Sequence, residues 1–206
     1  MAIASSGLYL SSNLRIALEG KKNREDIINR ALSDIEYVKG LHGKLGELVT
    51  KVYVDCLGYT HCIGLGLLKI LISREHTLVI AGVRDPDSAS AKALLDLPTA
   101  GSCTKVILSK IEVSSQESIK AAVKKLTEED GIERIDVLIS NAGIANYYGP
   151  AAITPLKEVR EHFEVNAVGT LSLFQETWPL LEKSERPVFM ALSVSHLISS
   201  ALMDLC

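Results

Sequence analysis

The residues with the clearest chemical meaning in this sequence are the small and polar run 140–143. It reads Ser-Asn-Ala-Gly and follows the apolar stretch 135–139. A buried strand that ends in such a turn lets the backbone lie directly against a nucleotide, because no large side chain intervenes. Asn166 adds a second polar group, within the helical pattern 163–169. Together they predict a dinucleotide site at a strand end, with an ordinary turn and a helix-packing amide as the alternatives.

The elements that must position these groups alternate between strand and helix from Lys51 onward. Apolar runs predict strands at 52–57, 77–83, 106–108, 135–139 and 187–193. Helical patterns lie between them: at 65–72, at 89–95, after a capping box of Ser114 and Glu117, and after Thr154 as N-cap with Pro155 at the first helical position. This alternation favours right-handed crossovers and a parallel sheet with helices on both faces.

The expected fold is α/β, a Rossmann-like doubly wound parallel sheet of strand order 3-2-1-4-5. Its cofactor crevice lies at the carboxyl ends of the first and fourth strands, where the chain direction switches. Residues 1–50 differ, since apolar residues recur at helical spacing among charges between residues 24 and 49. We therefore predict an N-terminal helical extension at 1–50 and a Rossmann-like dinucleotide-binding domain at 51–206.

Composition limits the classes of function. With 206 residues and 47% hydrophobic content, the chain can bury one substantial core. Its 22 basic and 25 acidic residues give a formal net charge of −3, so neither nucleic acid nor a membrane surface is an expected partner. Apolar stretches are interrupted by charge before the roughly 18 residues of a membrane span. The four cysteines form no C-x-x-C pair and the histidines lack partners at ligand spacing, so we predict no metal site and a cytoplasmic protein with reduced thiols.

The order and spacing of the 140–143 run and Asn166 resemble those of the short-chain dehydrogenase/reductase family. The resemblance covers roughly residues 52–193. In the stretch 57–64, LGYTHCIG stands where that family has the glycine turn T-G-x-x-x-G-x-G. Such a turn brings the backbone close to the pyrophosphate of a dinucleotide, at the start of a helix whose dipole favours an anion.

The resemblance implies that Gly58, Ile63 and Gly64 contact the cofactor in this turn. Gly58 and Gly64 retain the first and last glycines of the family pattern, which serve the tight turn and the close packing of the helix. Cys62 replaces the middle glycine, so its side chain occupies space where phosphate should approach. A strand-turn-helix unit without a cofactor is the alternative for this segment.

Arg84 follows the predicted second strand, where the adenosine ribose of a dinucleotide would lie. An acidic residue there would bind the ribose hydroxyls of NAD, whereas an arginine suits the additional phosphate of NADP. The alternative is a solvated surface arginine. The resemblance also implies that Glu112 lies near the adenine, and that Asn141, Ala142 and Gly143 line the adenosine ribose. We predict NADP as the cofactor.

The family's catalytic set is a Tyr acid/base, a Lys that lowers the Tyr pKa, a Ser that polarises the substrate oxygen and an Asn that organises a relay water. The resemblance assigns Asn166 to the Asn role, and Ser193, beside Val194, is the candidate for the Ser. The Tyr-x-x-x-Lys motif would lie beyond Ser193, but the last tyrosine is Tyr148 and the sequence ends at Cys206. We expect a family member truncated before this motif, with a sheet that is incomplete at its C-terminal end.

The phrases at 63–67, 81–86 and 162–166 resemble the fungal ketoreductase branch typified by norsolorinic acid ketoreductase, which reduces aryl ketones in polyketide pathways with NADPH. This resemblance implies an NADP-dependent oxidoreductase acting on a small-molecule carbonyl substrate in secondary metabolism. A catalytically inactive dinucleotide-binding or interaction protein is the other hypothesis, since the Tyr and Lys are missing. An incomplete sheet with an apolar tail also predicts a homodimer through the exposed sheet edge.

Overall fold

The computed structural model describes residues 50–55, 63–147 and 149–192. The strands are β1 (Thr50–Asp55), β2 (Thr77–Val83), β3 (Lys105–Lys110), β4 (Val137–Ser140) and β5 (Val188–Ala191). The helices are α1 (Ile63–Ile72), α2 (Ala89–Lys92), α3 (Gln116–Glu128), α4 (Leu156–Phe163) and α5 (Thr170–Leu181). A 3-10 turn spans Ala151–Ile153, and a π-helical segment, Glu164–Gly169, joins α4 to α5. Of the predicted N-terminal extension, residues 1–49 lie outside the described residues.

The five strands form one parallel sheet in the order β3-β2-β1-β4-β5. The predicted α/β class and the order 3-2-1-4-5 are therefore confirmed. Val52 of β1 is in register with Val79 of β2 on one side and with Val137 of β4 on the other. Because every strand runs the same way, the loops that follow the strands meet at one edge of the sheet. We call this edge the carboxyl edge.

Helices cover both faces of the sheet, and the buried residues of β2 point alternately to one face and to the other. Val79 and Ala81 belong to the hydrophobic cluster that includes Leu68 of α1, whereas Ile80 belongs to the cluster built with α3 and α5. Both faces of this strand are thus removed from water, which explains its nearly unbroken apolar sequence. No helix among the described residues is long and apolar enough to cross a membrane.

The predicted N-cap of α3 was wrong by one residue. Ser115 caps this helix, with its Oγ accepting a hydrogen bond from the Ser118 N–H at 3.2 Å. Ser114 lies inside a turn closed by the Ser115 N–H and the Glu112 carbonyl, so it is not the residue in the extended conformation that an N-cap requires. The Ser114 hydroxyl instead donates to Glu112 Oε1 at 3.0 Å.

The start of α4 also differs from the prediction. The helix begins at Leu156, and Pro155 precedes it in an extended conformation without a side-chain cap. Thr154 follows the 3-10 turn, and its hydroxyl donates to the Pro150 carbonyl at 3.0 Å, so its oxygen is turned back toward that turn. The predicted capping by Thr154 is therefore wrong.

Candidate functional site

The N-terminus of α1 lies at the carboxyl edge, beyond the end of the central strand β1. The helix begins at Ile63, which is half-buried, and Gly64 is buried in its first turn. At this end, the first N–H groups of a helix have no partner within the helix and attract anions. Both residues were predicted to contact the cofactor. Gly58 and Cys62 of the same predicted turn lie outside the described residues.

Two cations lie at the carboxyl edge where β2 and β3 end. Arg84 directly follows β2 and is exposed. Lys110, the last residue of β3, is also exposed and stands in register with Val83, the neighbour of Arg84. Lys110 was not predicted from the sequence, because its nearness to Arg84 depends on the pairing of strands that are separated in the chain.

Glu112 lies in the loop after β3, again at the carboxyl edge. It is half-buried, and its backbone N–H donates to Ser118 Oγ at 3.0 Å. Its carboxylate accepts the hydroxyl of Ser114. The first turn of α3 therefore orients the main chain of Glu112, while its carboxylate stays at the surface of the loop.

The run 140–143, at the end of β4, passes from the core to the surface at the carboxyl edge. Ser140 and Ala142 are buried, Asn141 is half-buried and Gly143 is exposed. Ser140 Oγ donates to Thr170 Oγ1 at 3.3 Å, which ties the strand end to the first residue of α5. Gly143 is thus exposed at the carboxyl edge, and its contact with the adenosine ribose stays a prediction.

Asn166 lies in the π-helical segment and clamps the loop that follows this run. Its Oδ1 accepts the N–H of Ile144 at 2.8 Å, and its Nδ2 donates to the carbonyl of Ile144 at 2.9 Å. The carbonyl of Asn166 accepts the hydroxyl of Thr170 at 3.1 Å. A π-helical turn shifts the register of the side chains beyond it and is frequent at functional sites. In this structure Asn166 is a positioning residue, and its relay role stays a prediction.

His162, one helical turn before Asn166, holds the same loop at a second point. Its Nε2 accepts the N–H of Asn146 at 3.0 Å, and its Nδ1 contacts the carbonyl of Glu158 at 2.6 Å. From the sequence, this histidine was considered as a metal ligand, as a hydrolase residue and as part of the family-like phrase 162–166. Its actual partners are backbone groups, which leave no mark in a pattern of side-chain types.

The remaining titratable and nucleophilic residues of interest lie away from the carboxyl edge or outside the described residues. Ser193, the predicted catalytic serine, is not among the described residues. The described ranges contain no cluster of three His, Cys, Asp or Glu side chains that could hold a metal ion. The pKa of Lys125 is raised by its hydrogen bond to Asp130, at the end of α3 that faces away from the carboxyl edge.

The sequence of the chain is similar to known reductases over most of its described length. A family model described as enoyl-(acyl carrier protein) reductase matches residues 58–202. The short-chain dehydrogenase srdF of Neurospora crassa is 37% identical over 146 residues, which are 71% of this chain and 56% of that protein. The chain belongs to the short-chain dehydrogenase/reductase family. Norsolorinic acid ketoreductase nor1 of Dothistroma septosporum is 39% identical over 127 residues, which are 62% of this chain and 47% of that protein.

Solved structures of two reductases share the fold. The NADPH-bound carbonyl reductase from chicken fatty liver matches 68% of this chain and 52% of its own, with 30% identity and a TM-score of 0.55. A 3-oxoacyl-[acyl-carrier protein] reductase from Brucella melitensis in complex with NAD matches 69% of this chain and 54% of its own, with a TM-score of 0.57. At 21% identity, this second likeness shows the fold alone. The chain spans about half the length of the relatives that it matches.

Proposed function

We propose that this chain binds NADP at the carboxyl edge of its sheet and serves as the cofactor-binding part of a ketone reductase of the short-chain family. The observation that carries the proposal is the convergence of three features at one edge. These are the N-terminus of α1, the exposed Arg84 after β2 and the exposed backbone of Gly143 after β4. A helix N-terminus, a cation and an unobstructed backbone suit a pyrophosphate, an additional phosphate and a ribose, respectively.

The preference for NADP over NAD rests on charge. Arg84 and, by register, Lys110 bring two positive side chains to the end of β2, where NAD-binding sites carry an acidic residue. The carbonyl reductase from chicken fatty liver, which is similar to this chain, was solved with NADPH bound. Bound NADP supplies or accepts the hydride, while the residues of this chain hold the nucleotide and orient it.

Arg84→Ala is expected to weaken NADPH binding by about tenfold or more, because a hydrogen bond to a charged group contributes about 1.5–3 kcal/mol. NADH lacks the additional phosphate, so its affinity should change less than about twofold. Isothermal titration calorimetry of both cofactors measures the difference. Lys105→Ala is the matched control, since it removes a cation from the opposite end of β3. An equal loss for NADPH and NADH would contradict the assigned role of Arg84.

Reduction of a small aryl ketone is the reaction that we propose, because three similar proteins are named norsolorinic acid ketoreductases. The second candidate is binding without catalysis. It is motivated by the absence of a Lys four positions after any tyrosine of the 206 residues. The test is the loss of NADPH absorbance when the purified chain is mixed with an aryl ketone. Turnover would exclude the second candidate, whereas binding without turnover would favour it.

We also propose that the chain forms a homodimer through the outer edge of β5. Among the described strands, β5 pairs with β4 alone, and an unpaired strand edge attracts another strand. Sedimentation at micromolar concentration is expected to give a dimer, and Ala191→Lys should shift it to monomer by placing a charge on β5. The same change at Ala93, which is exposed after α2, is the control. A wild-type monomer would contradict the proposal.

A further inference from the structure

Two side chains, one helical turn apart, hold the loop 144–147 against the helix that contains the π-helical segment. Asn166 binds the backbone of Ile144, and His162 binds the backbone of Asn146. We propose that His162 is a proton-sensitive latch: it holds the Asn146 end of the loop when its imidazole is neutral and releases it when the imidazole is protonated. This proposal concerns the loop itself and does not require the cofactor.

The hydrogen bonds of His162 determine its tautomer. A carbonyl oxygen can only accept, so the 2.6 Å contact with Glu158 requires a hydrogen on Nδ1. A backbone N–H can only donate, so the 3.0 Å bond from Asn146 requires a lone pair on Nε2. Both conditions are met by one species, the neutral imidazole with its proton on Nδ1. The charged imidazolium carries a hydrogen on each nitrogen and meets only the first condition.

Protonation would therefore place two hydrogens, those of Nε2 and of the Asn146 N–H, against each other. The bond to Glu158 survives protonation, because Nδ1 donates in both states. The helix side of the contact thus stays in place, and only the loop side is lost.

The charged groups around His162 favour release of the loop when the imidazole is protonated. The loop side, 141–147, contains no Asp, Glu, Lys, Arg or His, and Tyr147 is its single titratable side chain. On the helix, Glu158 lies one turn before His162, whereas Arg160, Glu161 and Glu164 are one or two positions away and do not face it, and Glu161 pairs with Lys157 at 3.5 Å. The helix therefore offers the Glu158 carboxylate to a charged imidazole, whereas the loop offers it no negative partner.

Asn166 confines the opening to one end of the loop. Its two bonds to Ile144 involve an amide, which does not titrate, so the Ile144 end stays attached at acidic pH. The loop begins one residue after Gly143, in the run proposed to line the adenosine ribose. A weaker affinity for NADPH at acidic pH would follow from the latch, and this consequence rests on the proposed function.

Hydrogen exchange measured by NMR at about pH 7.5 and pH 5.5 tests the latch on the full chain without cofactor. After correction for the intrinsic exchange rate, the protection of the Asn146 amide should fall about fivefold at the lower pH, equivalent to one typical hydrogen bond. The protection of the Ile144 amide should change less than about twofold. In His162→Gln, whose amide does not titrate, the Asn146 protection should not depend on pH.

His76→Gln is the matched control, because His76 is an exposed histidine in the turn before β2 and should leave the wild-type response unchanged. The ring nitrogen shifts of wild-type His162 provide a second measurement that needs no variant, and they should report the Nδ1–H tautomer at pH 7.5. An Asn146 protection that is equal at both pH values would overturn the latch. So would the same fall in His162→Gln, or the opposite tautomer. None of these results depends on whether NADPH binds.

Discussion

Gly169→Ala is expected to lower the free energy of unfolding by about 1–3 kcal/mol, the usual cost of forcing an extra methyl group into a packed contact. A Cβ at this position would lie 2.7 Å from the carbonyl oxygen of Val113 and 3.3 Å from its Cβ. Gly169 has helical backbone angles, so alanine would by itself favour the helix by up to about 1 kcal/mol. The collision outweighs this gain, because the backbone of Val113 cannot move aside as a flexible side chain would.

Denaturant unfolding of Gly169→Ala measures this cost. Gly143→Ala is the matched control, since the nearest atom to its new methyl group would be Asn166 Oδ1 at 3.4 Å, an ordinary contact. The control should stay within about 0.5 kcal/mol of the wild type. A Gly169→Ala protein as stable as the wild type would mean that the helix does not approach the loop after β3 as described.

Asn166→Ala is expected to lower the free energy of unfolding by about 1–2 kcal/mol. The variant loses both hydrogen bonds to the backbone of Ile144, and each such bond contributes about 0.5–1.5 kcal/mol. Ile144 is half-buried, so water replaces only part of what the amide provided. The loss should also free the loop after β4, and hydrogen exchange at the Ile144 amide should therefore become faster in the variant.

Asn146→Ala is the matched control, because it removes an asparagine side chain but keeps the hydrogen bonds between Asn166 and Ile144. It makes the same change in the loop that Asn166 binds, but Asn146 is held through its backbone N–H, which the substitution retains. Its stability should remain within about 0.5 kcal/mol of the wild type. Equal losses of stability in the two variants would contradict the positioning role of Asn166, because the side chain of Asn146 would then contribute as much stability as that of Asn166.

The sequence predicted the fold well where local patterns and the global topology agree. Strand β2 was predicted with its observed bounds, since its apolar run is bordered by polar residues and both faces are buried. The alternation of strands and helices predicted a Rossmann-like core, and the strand order expected of that core is the observed one. The cap at Ser114 was misplaced because the next residue, Ser115, carries the same hydroxyl and the turn geometry decides between them. The cap at Thr154 was misplaced because its hydroxyl donates back to the Pro150 carbonyl.

The candidate site was harder to predict from the sequence than the fold, because several of its contacts join residues that are distant in the chain. Arg84 could be placed because it directly follows β2, and Gly143 because it lies three residues after the end of β4. Lys110 depends on strand register, and His162 depends on bonds to backbone groups of a distant loop. Neither kind of contact has a sequence signature. The close approach of Gly169 to the loop after β3 is likewise a property of packing, which the glycine alone does not reveal.

The central claim is that the carboxyl edge binds NADP, and calorimetric titration of the purified chain with NADPH and, separately, with NADH tests it most directly. We predict that NADPH binds at least about tenfold more tightly than NADH, with the difference removed in Arg84→Ala. Circular dichroism and cooperative unfolding would establish that the protein is folded in the same samples. A folded chain that binds neither cofactor, or that binds NADH as tightly as NADPH, would contradict the claim.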